Sequence, residues 1–287
     1  MAEPSEPWSV QRSLAWAKEM LERAGVDSPR LTAEMLLEHT LVPDTKRLEP
    51  SRTLRSPELD AFRVLVDARI EGRPVQHLVG GREFCGRWFQ LDARAFIPRQ
   101  ETELLVDACL AVIPGDGGGL EVLDLCAGSG CVGLTLLAER PALRVTAVEL
   151  SPGAVEVANA NAAAQGLADR YRLLQGDLFE PLDSVASWPL IVSNPPYVAT
   201  GDIAGLAVEV RDHDPRMALD GGPDGLDVIR RILAESPRRL EGGGLLAMEI
   251  GDDQGPSVRA LLQAAGLREV VIKKDYSGHD RIALARR

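Results

Sequence analysis

The sequence has no Cys-x2-Cys pair. Its four cysteines, Cys85, Cys109, Cys126 and Cys131, stand apart, and no histidine falls at a zinc-ligand spacing. A metal-organised or disulfide-stapled scaffold is thereby excluded, and the expectation is a set of reduced, buried thiols in a cytoplasmic protein with no metal. No apolar run approaches the ~18–20 residues of a membrane span. Met1 to Pro7 is acidic and polar rather than a signal peptide. Basic charge is also short, with 32 Lys and Arg against 43 Asp and Glu and a net charge of -11, which argues against a general nucleic-acid binder. Acidity of this kind reads mainly as solubility. Internal repeats and low-complexity segments are absent. What remains is ordinary for a globular chain: 287 residues, 45% hydrophobic and 26% charged, enough for one large domain or two.

Residues 1–80 read as a small helical bundle. Ser9 can cap a helix over Val10 to Ala24, Asp27-Ser28-Pro29 starts a second, and Ser56-Pro57-Glu58 starts a third that runs to Gly72. Residues 81–98 change character. Phe84, Trp88, Phe89, Leu91 and Phe96, punctuated by glycines, predict a β-hairpin linker. From Arg99 to Arg287 the pattern becomes α/β. A helix enters near Glu101 to Glu103 and runs through Ile113. Strands are then expected at Val122–Leu125, Val145–Glu149, Tyr171–Leu174, Leu190–Val192, Gly243–Ile250, Glu269–Lys274 and Asp280–Ala285, with helices between most of them. Such alternation implies a mostly parallel sheet covered on both faces. Asp275 to Gly278 is too short for a crossover helix, so the last two strands are expected to be antiparallel. Ligands of such sheets bind beyond the carboxyl ends of the strands.

Four short stretches fall at those ends. In Ser193-Asn194-Pro195-Pro196-Tyr197 two prolines stop the strand and hold Asn194 and Pro195 extended. The Asn194 side-chain oxygen and the Pro195 carbonyl then offer two acceptors from a stiff platform. That pair suits an NH2 group on an sp2 carbon, a poor nucleophile whose two in-plane hydrogens need two acceptors. Tyr197 could cover the flat group or face a cation. The plain alternative is a proline-stiffened loop with a core tyrosine. Cys126-Ala127-Gly128-Ser129-Gly130 lets the chain turn tightly against a ligand, without the lysine of a phosphate-gripping loop. Glu149, 19 residues past Gly130, can accept from both hydroxyls of a ribose. Asp177 could accept from an adenine amino group, with Leu178 or Phe179 against the ring; it could equally cap its own turn. A nucleoside cofactor held without a phosphate grip fits S-adenosyl-L-methionine, whose sulfonium methyl is an electrophile for the Asn-Pro-Pro-Tyr platform.

Further stretches narrow the reading. They are Pro74 to Gly80, Ile97-Pro98-Arg99 with Glu101-Thr102-Glu103, Ala218 to Gly222 with Asp224-Gly225-Leu226, Glu249-Ile250-Gly251 with Gln254, and Lys274-Asp275 through Arg281. Together with Asn-Pro-Pro-Tyr they resemble the PrmC/HemK family, the peptide chain release factor N5-glutamine methyltransferases. The resemblance implies a Rossmann-like class I methyltransferase domain with a seven-stranded sheet over 99–287, behind a substrate-binding helical bundle and a hairpin. It implies S-adenosylmethionine as cofactor and, as substrate and partner, the glutamine of the Gly-Gly-Gln motif of class 1 release factors, whose methylation modulates translation termination. A cytoplasmic monomer without membrane or direct nucleic-acid contact is expected. Carried over by position, Cys126, Ala127, Gly128, Ser129, Gly130, Glu149, Leu178 and Asn194 would hold the cofactor, beside Asp177 as read from its own position. Asn194, Pro195, Pro196 and Tyr197 would bind the glutamine, with Asn194, Pro195 and Tyr197 carrying catalysis.

Three departures from the family pattern stand out: Gln100 for a usual Pro, Cys126-Ala127 for Gly-Thr, and His213-Asp214-Pro215 for Glu-Pro. Arg99, Glu101 and Glu103 read either as an ion-pair cluster or as part of the cleft wall. His213 reads as a loop residue rather than a base. Rival functions are methylation of a ribosomal-protein glutamine, N6-methylation of adenine in nucleic acid, and cofactor binding without catalysis. The Glu101-Thr102-Glu103 run favours the release-factor branch, the charge disfavours nucleic acid, and the intact platform disfavours a non-catalytic role.

Overall fold

The computed structural model describes residues 8–41 and 48–287. They fall into two compact units, one running up to Gly81 and including Val208–His213, the other made of Arg82–Ala207 and Asp214–Arg287. The hairpin expected as a linker lies almost wholly in the second.

The first unit is helical. Helix α1 (Val10–Arg23) starts where Ser9, extended, accepts the Arg12 N–H at 3.2 Å, as a cap residue does. Helix α2 (Pro29–Thr40) has its proline in the first turn, where the missing N–H is no loss. Helix α3 (Ser56–Ile70) is capped one residue earlier than its Ser-Pro-Glu signal marks, because the backbone N–H of Arg55 donates to Glu58 at 2.9 Å. The inward positions of the three helices, among them Ala17, Leu21, Leu36, Leu37, Phe62 and Val66, form one apolar cluster. Two one-turn helices that the periodicity is too short to show, α4 (Val75–Leu78) and α8 (Val208–Arg211), belong to the same unit. Glu209 of α8 pairs with Arg69 at 2.6 Å.

The second unit opens with the hairpin of β1 (Gly81–Phe84) and β2 (Arg87–Gln90). Both turn residues, Cys85 and Gly86, have positive φ, as a two-residue turn matching the strand twist needs. Next come a tight turn at Gln100–Thr102 and helix α5 (Glu103–Leu110). This helix is shorter than expected; Val112 and Ile113 both fold back onto the Cys109 carbonyl ahead of Pro114. Then follow β3 (Glu121–Leu125), α6 (Cys131–Glu139), β4 (Arg144–Glu149), α7 (Pro152–Ala164), β5 (Tyr171–Gln175) and β6 (Trp188–Ser193). The chain closes with α9 (Asp227–Arg239), β7 (Leu240–Glu249), α10 (Gly255–Ala264), β8 (Arg268–Lys274) and β9 (Asp280–Arg286).

Seven strands form one sheet in the order β5-β4-β3-β6-β7-β9-β8. The first five in that order are parallel to one another, and β9 runs antiparallel to both of its neighbours. Alternation at period two sorts the strand side chains into two cores. Val122, Val145, Ala147, Leu190 and Val192 pack with α5, α6 and α7 on one face. Leu123, Leu125, Val148, Ile191 and Leu246 pack with α9 and α10 on the other. Strand order reverses between β3 and β6, whose registered ends Leu125 and Ser193 lie side by side. A crevice beyond this reversal is the expected ligand position of an open α/β sheet.

One close contact fixes how α6 sits on the sheet. The Gly133 N–H donates to the buried Asp124 Oδ2 at 3.0 Å, and a Cβ at Gly133 would stand 2.8 Å from that oxygen and 3.1 Å from Val145. Alanine normally favours a helix over glycine by about 1 kcal/mol, but overpacking costs roughly 1–3 kcal/mol. Gly133→Ala is therefore expected to lower unfolding free energy by about 1–2 kcal/mol. Urea titration checks this, and a stabilised variant would mean that α6 is free to shift.

Candidate functional site

A cavity of about 300 Å³ opens beyond the β3 and β6 ends. Its floor is the glycine turn. Cys126 and Gly128 take left-handed φ of 59° and 56°, and Gly130 follows at 80° as the cap of α6. Gly128 donates its N–H to Glu149 Oε2 at 2.8 Å, and Ser151 donates its N–H to Oε1 at 2.8 Å. The carboxylate of Glu149 thus ties together the turns after β3 and β4, and each oxygen keeps a further lone pair for a ligand. Asn161 of α7 reinforces the turn from behind: its Nδ2 donates to the Ser129 carbonyl at 3.0 Å, while its Oδ1 takes the Gln90 N–H at 2.7 Å.

A second wall comes from the loop after β5. Asp177 pairs with Arg231 of α9 at 2.8 Å, and Leu178 lines the cavity with a strained φ of 49°. Phe179, the alternative ring contact, is turned into the core, with the Arg239 guanidinium 5.7 Å from its ring centre. Leu150 and Met217 line the opening although each is 49% exposed.

The platform occupies the far side. Ser193 Oγ donates to the Leu125 carbonyl at 2.9 Å, which fixes where β6 ends. Asn194 Nδ2 donates to Thr102 Oγ1 at 3.3 Å, so Asn194 Oδ1 is the end of the amide left for the cavity. Among the described residues no hydrogen bond is donated to the Pro195 carbonyl. Tyr197 is held twice, since its carbonyl takes the Gln254 Nε2–H at 2.9 Å and its hydroxyl donates to Glu249 Oε1 at 3.1 Å. A parallel bridge joins Val198 to Asp220, and Gly221 and Gly225 let the following loop close on the platform. A Cβ at Gly225 would stand 2.3 Å from the Tyr197 carbonyl oxygen, and one at Gly221 2.8 Å from that of Pro196. These two contacts are what the Gly-Gly and Asp-Gly-Leu stretches do.

All the sequence-expected site residues line this one cavity save Gly130, which sits behind the turn among Leu134, Ala158 and Tyr171. Arg99 pairs with Asp214 at 2.5 Å, joining Pro98 to the loop that carries Pro215 and Met217. Glu103 instead accepts the Cys85 N–H at 2.8 Å. His213 is not part of the lining. Sequence reasoning missed Phe96, Leu150, Met217 and Arg231 in the wall, and Thr102 and Asn161 behind it. Leu150 alone carried a signal, as a large apolar residue just past the acidic strand end. Burial pushes the thiols up, Cys85 to about 12 and Cys126 further, so neither is a nucleophile.

The described residues include no helix long and apolar enough to cross a membrane. Residues 13–80 match the PrmC N-terminal domain and residues 101–210 the methyltransferase small domain. The release factor glutamine methyltransferase of Geobacter sulfurreducens is 39% identical over 284 residues, covering 98% of each chain. That of Caulobacter vibrioides is 42% identical over 276 residues, covering 94% of each. The chain belongs to the release factor glutamine methyltransferase family. A T. Thermophilus 16S rRNA N2 G1207 methyltransferase, solved with AdoMet and guanosine, shares the fold at TM-score 0.53 and 21% identity, over 72% of this chain and 49% of that one. The Rossmann-like class I methyltransferase fold read from the sequence is the one found.

Asp124 sits at the base of the cavity, and burial pushes its carboxyl up to about 7 against the Gly133 hydrogen bond that favours the charged form. A folded-state pKa above the unfolded value of 3.8 makes the sign definite. The contribution is fully present below about pH 4 and is lost as pH rises through about 7, because the unfolded chain releases the proton first. Asp124→Asn carries no such titration. Its unfolding free energy relative to the parent is expected to rise between about pH 4 and 7, by at most about 4 kcal/mol, and then level off. Denaturation across that range checks it; a flat difference would show that Asp124 is ionised in the fold.

Proposed function

We propose that the cavity binds S-adenosylmethionine and that the chain transfers its methyl group to the side-chain amide nitrogen of the glutamine in the Gly-Gly-Gln motif of class 1 release factors. One observation carries the reading: Thr102 ties down the amino end of the Asn194 amide, so that its oxygen and the Pro195 carbonyl both stand as acceptors at the cavity wall. The family's curated names point to the same acceptor.

The residues fit the cofactor. The cavity lies at the lower end of the usual range for small-ligand sites. Glu149 has lone pairs for two ribose hydroxyls, Leu150 and Leu178 offer apolar surface to a base, and the backbone of Cys126 to Ser129 follows the opening. Asp177 keeps acceptor capacity beyond its pair with Arg231. When bound, S-adenosylmethionine supplies an electrophilic methyl on a sulfonium. The chain's own part is geometric. Asn194 Oδ1 and the Pro195 carbonyl take the two amide hydrogens and fix the amide plane, so that its π face meets the electrophile. Pro196 and Tyr197 keep the slot narrow, which suits an acceptor flanked by glycines. Once alkylated, the nitrogen is acidic enough to release its proton to water. Catalysis then rests on positioning and on electrostatics. We read the helical bundle of residues 1–80 as the surface that recognises the release factor. The enzyme works as a cytoplasmic monomer without direct nucleic-acid contact.

Labelled S-adenosylmethionine offered in parallel with release factor, ribosomal protein and nucleic acid tests the proposal. Label is expected in release factor alone, and a Gln-to-Ala change in its Gly-Gly-Gln motif should abolish it; label in nucleic acid would overturn the reading. Asn194→Ala should reduce turnover by roughly 10²-fold or more while leaving most of the cofactor affinity. Equal loss of both would make Asn194 a cofactor ligand or a structural residue.

A further inference from the structure

Behind the platform lies a buried cluster that the reading above does not use. Glu249, at the end of β7, is 1% exposed, and Thr102 is equally buried. Tyr197 donates its hydroxyl to Glu249 Oε1 at 3.1 Å, and Glu249 Oε2 is buried without a hydrogen bond of normal geometry among the described residues. Burial pushes the Glu249 carboxyl up, while the nearby Thr102 and Tyr197 hydroxyls and Arg281 act the other way. Thr102 Oγ1 accepts from Asn194, and no acceptor for its own proton lies in bonding geometry among the described residues. An unfilled donor and an unfilled acceptor therefore share one buried cluster, where each has reason to find the other.

The polarity of this cluster has a consequence at the slot. An asparagine amide can present either end to a hydroxyl, since Oγ1 both accepts and donates. What decides is where the hydroxyl proton goes. We propose that Glu249 is a positioning residue for methyl transfer: by taking the Thr102 proton it leaves Thr102 as an acceptor, which draws in Asn194 Nδ2 and aims Asn194 Oδ1 at the incoming amide. A donor in place of the Glu249 oxygen would reverse the relay. Thr102 would then donate to Asn194, the amide would turn its oxygen inward, and an NH2 would face the hydrogens of the substrate NH2. Tyr197, bound to the same carboxyl, keeps the other side of the slot in register. The proposal rests on the reading of the site as an amide clasp.

Steady-state methyl transfer to release factor, with cofactor binding measured separately by calorimetry, tests it. Turnover by the parent chain is the control, and its absence would sink the functional reading rather than this one. Glu249→Gln is expected to lower kcat about 10–100-fold with cofactor affinity within about threefold. Thr102→Val, which keeps the shape and removes the hydroxyl, should do the same, whereas Thr102→Ser should restore most of the turnover. The double variant Glu249→Gln/Thr102→Val should be little worse than either single change, because both break one path. Should Glu249→Gln fold poorly, the Thr102 pair reads the same relay. Turnover by Glu249→Gln or Thr102→Val within twofold of the parent would overturn the proposal, as would parallel losses of turnover and cofactor affinity, or a Thr102→Ser variant as impaired as Thr102→Val.

Discussion

The hydrogen bond from Ser193 to the Leu125 carbonyl joins the ends of the two central strands at the point where strand order reverses. Nearly every functional group is positioned from that joint. On one side the chain leaves β3 into the glycine turn. On the other it leaves β6 into Asn194 and the prolines, which prevent the strand from continuing and so expose carbonyls that a ladder would have consumed. The cavity exists because two adjacent parallel strands end together and their chains diverge to opposite faces of the sheet.

Several residues accept backbone strain to line this cavity. Cys126 and Leu178 adopt left-handed φ without being glycine, a conformation that costs an L-residue roughly 1–2 kcal/mol. Both line the cavity, and strain of this kind tends to gather where a site needs an unusual chain path. Cys126, one of the departures from the family pattern, holds a φ of 59° in the glycine turn. Bonds from Glu149, Asn161 and the Val148 carbonyl over-determine its course. The Asp214 departure is accounted for too. Its carboxylate, fully buried, answers Arg99 and anchors the loop that bears Met217.

The strands and helices of the sheet domain were legible because their signals are local and periodic. Val122 to Leu125, Val145 to Glu149 and the capped helix at Ser151 stand within a residue or two of their expected limits. The one-turn helices were not, since four residues carry no period. The site divides along the same line. Asn194 through Tyr197, the glycine turn and Glu149 announce themselves by backbone chemistry: consecutive prolines, paired glycines, an acid at a strand end. Thr102, Asn161 and Gln254 do their work through partners distant in sequence, 92 positions away for Thr102 and Asn194. A single threonine in a helix-start run gives no sign of which amide it will meet. Arg99 shows the middle case: an ion-pair cluster was one of its two readings, but its partner, Asp214, lies distant in sequence rather than beside it.

The account depends on two oxygens, one from a side chain and one from the backbone, gripping a single carboxamide. The most direct measurement is a crystal structure of the chain with S-adenosylhomocysteine and the release-factor domain that carries Gly-Gly-Gln. The glutamine nitrogen is expected within hydrogen-bonding distance of both Asn194 Oδ1 and the Pro195 carbonyl, with the cofactor sulfur on the open face of the amide. A glutamine seated with its nitrogen away from that pair, or an Asn194 amide turned with Nδ2 toward the substrate, would contradict it.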